Sequence, residues 1–342
     1  MKGLGLIVRT DHRGLGAQTR TLAKFLNPER VLVVEMGRHT PYREHLEQFP
    51  DAHRQTFPME PTAFGRWAKG LDWVLSCETF YGDHMISTAR VLGVRTALQY
   101  NFEFAGFAKD PDWVRPDVLI APSTWMTQAM PHPHVVLPPP VDRAAFPYRH
   151  RTEAKTFVHV VGHRAKGDRA GSKIVWGCLR HIDEPATIII RAQTNMGFPA
   201  LRKIGKVEVR YEIDDISDPS KLYEDADVLV APRRYGGLSL PIQEASSMGL
   251  PVIALDREPE NQILDPRLLV GASMRGKLRT QGGDLTMSTA NPRMLADKIT
   301  QMTRDPDGVS ELSEKADAYA RSVSWETIGP EWERIFGCQP ST

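Results

Sequence analysis

Residues 228–256, VLVAPRRYGGLSLPIQEASSMGLPVIALD, constrain this chain more than any other stretch: they demand an apolar strand, a glycine turn, a helix and a second apolar strand in succession. Apolar runs without alternation are strands covered on both faces, the situation of a parallel sheet flanked by helices. Gly236 and Gly237 make the turn, and Gly249 closes the helix. Pro241 suits the helix's first turn, where the N–H it lacks would have no partner anyway. Such a turn presents backbone N–H groups at a helix N-terminus, where unsatisfied donors and the helix dipole favour an anion. Glu244 stands one turn into the helix; a carboxylate there cannot bind phosphate, but it accepts hydrogen bonds from a ribose cis-diol. The expectation is a nucleotide held by its sugar and its phosphates. Strand, glycine turn and helix also occur in ordinary α/β domains, so the pattern alone leaves plain architecture open.

The order of residues is more specific. It resembles the donor-binding signature of the family 4 retaining glycosyltransferases of GT-B fold, Pro-Ser-x-Tyr-Glu-Gly-Phe-Gly-Leu-Pro-x-x-Glu-Ala-x-x-x-Gly-x-Pro-Val. Matching positions are Pro232, Tyr235, Gly237, Leu240, Pro241, Glu244, Ala245, Gly249, Pro251 and Val252. The resemblance assigns Glu244 to the ribose. Where the family carries its first glutamate, assigned to donor hexose hydroxyls, this chain has Gly236, and Ser239 replaces the family's second glycine. Sugar recognition is then altered, or carried by the backbone N–H groups of Gly237, Leu238 and Ser239, with Gly236 also among the donor-binding candidates.

The chain's 342 residues suit two α/β domains. A formal net charge of +1 provides no global field toward nucleic acid or anionic membrane. Cys77, Cys178 and Cys338 are far apart and form no metal spacing, which points to free thiols in a reducing compartment. The apolar run ending at Val8 is shorter than a signal-peptide core, and nowhere do about 18 apolar residues run together, so a cytoplasmic protein without a transmembrane segment is expected.

Short buried strands are expected at 4–8, 31–35, 73–76, 94–98, 118–121 and 135–137, with helices such as 17–26 and 83–92 between them: a doubly wound sheet. The proline-rich passage at 137–146 marks a boundary. It resembles the family's interdomain segment, Ile-Pro-Asn-Gly-Val-Asp-x-x-x-Phe, through Pro138, Val141, Asp142 and Phe146. Strands follow at 157–161, 187–190, 207–211, 228–231 and 252–255, with a helix over about 171–181. The tail from Ser324 to Trp332 looks like the family's closing helix, which commonly crosses back to the first domain. The resemblance therefore implies an α/β GT-B protein, two Rossmann-like doubly wound domains facing a central cleft. Residues 1–145 form the acceptor-side domain, 146–324 the nucleotide-sugar domain, and a helix at about 325–338 packs back on the first.

Three further segments carry chemistry. His159 to Lys173 places Arg164, Lys166, Arg169 and Lys173 in a glycine-punctuated loop after a strand, an electrostatic clamp for two phosphates and a charged leaving group. It resembles the family's Val-Gly-Arg…Lys-Gly loop, with His163 in the place of the Arg. Arg164 and Lys166 are the first choices for the diphosphate; Arg169 and Lys173 are expected on the helix surface, and a solvated charge run is the bland alternative. The loop after the first strand holds His12, Arg13, Gly14 and Gly16. Thr19 stands where the dinucleotide fingerprint needs a third glycine, so that reading is weak. In a GT-B protein this loop lies at the cleft. After the strand ending near Gln99 come Asn101 and Glu103, where the family usually has a His-Asp or His-Glu pair. Glu103 is a candidate to bind or activate the acceptor, Glu78 is comparable, and His132 and His134 read as loop residues rather than metal ligands.

The resemblance implies transfer of a hexose-type sugar from a nucleoside diphosphate donor to an unidentified hydroxyl acceptor, with retention and with neither metal nor cofactor. The acceptor classes left open are glycan, lipid, protein and hydroxylated nucleic-acid base. A nucleotide-sugar-binding protein without transfer, which Gly236 raises, and a nucleotide-sugar epimerase are the alternatives.

Overall fold

The computed structural model describes residues 1–36, 45–82, 84–162, 167–199, 201–214 and 216–337. The chain divides into two units. The first comprises Met1–Pro140, Thr280–Gly283 and the chain from Trp325 on; the second comprises Val141–Arg279 and Asp284–Ser324.

In the first unit, β1 (Leu4–Val8), α1 (Gly14–Leu26), β2 (Arg30–Glu35), β3 (His53–Thr56), α2 (Pro61–Ala68), β4 (Trp73–Cys77), α3 (Met85–Val91), β5 (Arg95–Gln99), β6 (Val118–Ala121) and β7 (Val135–Val136) follow in order. The strands form one parallel sheet, β3-β2-β1-β4-β5-β6-β7. Every residue of β1 and β4 is buried, as their unbroken apolar character requires of central strands. Leu22 and Leu26 of α1 pack with Leu4, Leu6, Val8 and Leu75, each such side chain contributing about 1.5–3 kcal/mol on burial. The strand order reverses between β1 and β4, which opens a crevice at their carboxyl ends. β3 was not expected: its sequence, His-Arg-Gln-Thr, has no apolar residue, and it forms the sheet's mostly exposed edge.

The second unit contains β8 (Thr156–Gly162), α4 (Ser172–Cys178), β9 (Ala186–Ala192), β10 (Lys203–Ile204), β11 (Val207–Ile213), β12 (Val228–Ala231), α5 (Leu240–Ser247), β13 (Val252–Leu255), α6 (Glu260–Ile263), β14 (Leu269–Val270), β15 (Ser273–Arg279), β16 (Asp284–Thr289), α7 (Pro292–Arg304) and α8 (Pro306–Ser322). The sheet order is β10-β11-β9-β8-β12-β13-β14, parallel except for β10, and it reverses between β8 and β12. One core layer joins Ile174 and Val175 of α4 and Leu295 and Ile299 of α7 to Phe157, Ile188 and Ile190. The other joins Ile242 and Ala245 of α5 and Ala320 of α8 to Val158, Ile189 and Leu229. Adjacent strand residues thus alternate between two helical layers, which is why these strands read as continuous apolar runs. β15 and β16 form a separate antiparallel ribbon.

The last helix, α9 (Trp325–Ile335), completes the first unit's core. Trp325 stacks on Phe25 with centroids 5.1 Å apart. Trp332 is fully buried and donates its indole N–H to the Pro138 carbonyl at 3.1 Å, and Phe336 meets Trp73 edge-on at 5.6 Å.

Candidate functional site

The reversal between β8 and β12 brings the loop after β8 beside the loop after β12. They meet at Gly171: a Cβ there would lie 2.1 Å from the Pro232 carbonyl oxygen, and φ is +76°, so a side chain would be both crowded and strained. Asp168 organises the entry to α4, its two carboxylate oxygens accepting from the N–H groups of Ser172 and Lys173 at 3.0 and 3.1 Å. Arg234 binds the loops together. Its backbone N–H donates to the Arg169 carbonyl at 2.9 Å, and its guanidinium donates to the Gly167 carbonyl at 2.7 Å and the Ser288 carbonyl at 3.0 Å. His159, fully buried on β8, bridges the Val230 carbonyl at 2.7 Å and the Ser172 hydroxyl at 2.9 Å. Burial pushes its pKa down, so the imidazole serves as a neutral strut.

α5 starts at Leu240 with Ser239 as its N-cap, but the Ser239 side chain makes no capping hydrogen bond, and its hydroxyl is buried without a partner. A buried orphan hydroxyl at a helix N-terminus adds a donor to the backbone N–H groups there. Glu244, one turn on, accepts a 2.6 Å hydrogen bond from the Tyr223 hydroxyl. Tyr223 is fully buried, and desolvation together with the Glu244 charge raises its pKa well above the usual tyrosine range, so it stays a proton donor and fixes the carboxylate's direction. The sequence carried no signal for this pairing, since the residues lie 21 positions apart in different elements.

Gly236 has φ +106°, and two guanidinium groups occupy the direction a side chain would take. A Cβ there would meet Arg233 Nη2 at 2.5 Å and Arg169 Nη2 at 2.9 Å. Arg169, expected on the helix surface, instead lies over the Tyr235 ring at 5.7 Å, while Lys173 is exposed. Arg257 donates to the Gly236 carbonyl at 2.9 Å and to Glu260 at 2.7 Å, with both charged side chains buried. The described geometry thus brings Gly236, Gly237, Leu238, Ser239 and Glu244 together at the entry to α5. His163, Arg164 and Lys166 lie outside the described residues.

In the first unit, Gly14 and Gly16 belong to the first turn of α1 rather than to a free loop, which corrects the expected helix start near residue 17. Gly16 lets its own chain close up: a Cβ would fall 2.0 Å from the Asp11 carbonyl. Asp11 is buried and takes Arg9 in a two-pronged ion pair at 2.8 and 2.7 Å; its second oxygen accepts the Arg13 N–H at 2.9 Å. Nothing in the motif reading had marked this pair. His12 lies edge-on to His45 at 4.6 Å. On the neighbouring strands, Glu78 follows β4 with φ +68°, and Asn101 after β5 donates to it at 3.5 Å. Glu103 sits on a 3₁₀ turn and is buried, so it is not a surface carboxylate.

Among the described residues, no group of three or more His, Cys, Asp and Glu side chains could hold a metal ion, and no helix is long and apolar enough to cross a membrane. Cys77 and Cys178 are free and buried, and burial pushes both thiols up to about 12.

Residues 186–305 match the family described as glycosyl transferases group 1. Among solved structures, the chain is similar to HepE from Anabaena, in complex with UDP and glucose (14% identity, TM-score 0.66, covering 99% of this chain and 100% of that one). It is similar to sucrose-phosphate synthase from Thermosynechococcus elongatus (14%, TM-score 0.65, 99% and 100%). It is also similar to MurG from Acinetobacter baumannii (14%, TM-score 0.56, 99% and 100%). A search of curated proteins found no match. With two Rossmann-like units in one chain, this chain has the GT-B fold, and its residues 186–305 are similar to the glycosyl transferases group 1.

Proposed function

We propose that this chain transfers a hexose-type sugar from a nucleoside diphosphate donor to a hydroxyl acceptor, with retention of anomeric configuration and without a metal. The observation that carries the reading is Glu244, held by the buried Tyr223 one turn inside a helix whose N-terminus offers backbone donors and the Ser239 hydroxyl. A fixed carboxylate beside an anion-binding helix end suits a ribose next to its phosphates. In this reading, the backbone N–H groups of Gly237, Leu238 and Ser239 face the diphosphate and the sugar. His163, Arg164 and Lys166 complete the clamp by their resemblance to the family loop.

The bond from the anomeric carbon to the diphosphate oxygen breaks as the acceptor oxygen bonds to the same face, and the acceptor's proton passes to the departing diphosphate. The chain's part is to stabilise the charge that grows on that leaving group. Asn101, Glu103 and the segment of His12 and Arg13 are the acceptor-side candidates, because they follow β5 and β1 at the carboxyl edge of the first sheet.

Calorimetry with nucleoside diphosphates tests the nucleotide site. Glu244→Ala should weaken binding by about 1.5–3 kcal/mol, and unchanged affinity would sink the assignment. Mass spectrometry after incubation with a donor panel and candidate acceptors tests transfer. A pure binder would release no nucleoside diphosphate even by slow hydrolysis, and an epimerase would convert the donor with no acceptor present.

A further inference from the structure

The chain leaves β4 through a turn that its residue types do not favour. Glu78 has φ +68° and Tyr81 φ +61°, left-handed backbone that glycine or asparagine adopts more readily. The Thr79 N–H donates to the Cys77 carbonyl at 2.9 Å, closing a three-residue turn centred on Glu78, the rare and strained form of the γ-turn. Neighbours hold that geometry. The Glu78 N–H donates to the Gln99 carbonyl at 2.7 Å, the Ser76 hydroxyl donates to the Thr79 carbonyl, and the Tyr81 carbonyl accepts from the Met59 N–H at 3.4 Å. Strain that surrounding contacts over-determine concentrates where a side chain has to be aimed. The side chain aimed here is a half-buried carboxylate at the carboxyl end of β4, beside the strand-order reversal where ligands of open α/β sheets gather. Glu103, by contrast, is buried on its 3₁₀ turn.

The Asn101 amide nitrogen donates to Glu78 Oε1 at 3.5 Å. An amide that directs its nitrogen to a carboxylate keeps its carbonyl oxygen as an acceptor, and a carboxylate has about four lone-pair directions, so the pair takes further donors whatever else each side chain touches. From this geometry we infer that Glu78 and Asn101 form a subsite for an uncharged sugar as the acceptor, receiving two of its neighbouring hydroxyls. The inference rests on the proposed transfer reading and narrows its acceptor to a class. Two acceptor groups side by side call for two donors on adjacent atoms, which the hydroxyls of a pyranose supply. A serine or threonine side chain supplies one, and an ionised phosphate or carboxylate supplies none and is repelled by Glu78. In residues 101–134, the segment after β5, Glu103, Asp110, Asp112 and Asp117 outnumber Lys109 and Arg115, the reverse of what a nucleic-acid acceptor requires.

The test is ligand-observed NMR titration of the full chain with methyl α-glucopyranoside, which offers neighbouring hydroxyls, and with N-acetylserinamide, which offers a single one. The expected result is saturable binding of the glucoside alone, weakened roughly tenfold in Glu78→Gln, where the amide still serves Asn101 but turns a donor toward the hydroxyls. Glu78→Gly should show the same loss and yet melt about 2 °C above the parent, because glycine takes a positive φ without strain. Nucleoside diphosphate affinity should stay at the parent's value in both variants. Absence of glucoside binding, a glucoside affinity that neither substitution moves, or equal binding of the two probes overturns the inference. So does a Glu78→Gly variant that melts below the parent, which would make the carboxylate a prop of the turn, or a parallel loss of nucleoside diphosphate affinity. Failure of the nucleotide reading shows separately, as nucleoside diphosphate affinity indifferent to Glu244→Ala.

Discussion

The two sheets share a strand-order reversal, and the charged side chains beside the two reversals are arranged differently. At the crevice of the first unit, Arg9 is matched by Asp11 in a buried pair, and Asp11 spends its remaining capacity on the backbone that opens α1. At the crevice of the second unit, Arg169, Arg233 and Arg257 surround Gly236 with Glu260 among them. One edge engages its charged pair in building a turn; the other gathers three guanidinium groups about a glycine at the entry to α5. A strand-order reversal thus supplies a crevice, while the chemistry of the crevice depends on which charges the fold has already neutralised.

The largest expected effect comes from removing the carboxylate in the crowded region. Glu260→Ala should destabilise the chain by about 3–5 kcal/mol, since it removes the buried carboxylate paired with the buried Arg257. Urea denaturation with and without inorganic phosphate checks this, and phosphate should recover part of the loss. Asp11→Asn should cost less, about 1.5–3 kcal/mol, because the amide keeps its shape and one acceptor. Phosphate should not help there, because Asp11 serves Arg9 and the Arg13 N–H within a turn of its own chain. If phosphate rescues both variants equally, the contrast between the edges is wrong.

A smaller effect sharpens the comparison on the ligand side. Tyr223→Phe should weaken nucleoside diphosphate binding by about 1 kcal/mol, because Glu244 loses the hydrogen bond that aims it. An affinity equal to the parent's in calorimetry would show that Tyr223 only fills space. The smallest effect concerns pH. His159 has a folded pKa depressed below its ordinary value of 6.5, so its contribution is fully present above 6.5 and is lost as the pH falls through the lower folded value. Denaturation midpoints at pH 7.5, 6 and 5 should fall with acidity, and less steeply in His159→Gln. Parallel slopes would remove His159 from the account.

Much of the fold was legible because central parallel strands leave unbroken apolar runs; β1, β4, β12 and β13 are buried at every residue. The helix at α5 was legible for a local reason, Pro241 inside its start and Gly249 beyond its end. Elements without such signals stayed invisible. β3 is a polar edge, and β15 alternates basic and apolar residues with nearly every one exposed. The candidate site was legible where it consists of backbone, at Gly236 to Ser239, and at Glu244 through its spacing. What was not legible is what surrounds these residues. Tyr223, Arg257 and Glu260 reach the site from other elements, and Arg169 turns inward because the chain from Gly167 to Gly171 is tied to Arg234 and pressed against Pro232. Gly14 and Gly16 show the converse, glycines that read as a ligand-approach loop but serve the first turn of a helix.

The position of α9 bears on how the molecule is made. Trp332 and Phe336 belong to the same core as Leu4, Trp73 and Leu137, residues that leave the ribosome long before them. During synthesis the first sheet therefore waits, with an apolar face uncovered, until the whole second unit has been translated. A nascent chain or a fragment ending at Pro140 would present that face to chaperones and to other chains. An excised first unit would need α9 restored, by circular permutation or as a separate peptide, before it could fold into a soluble domain.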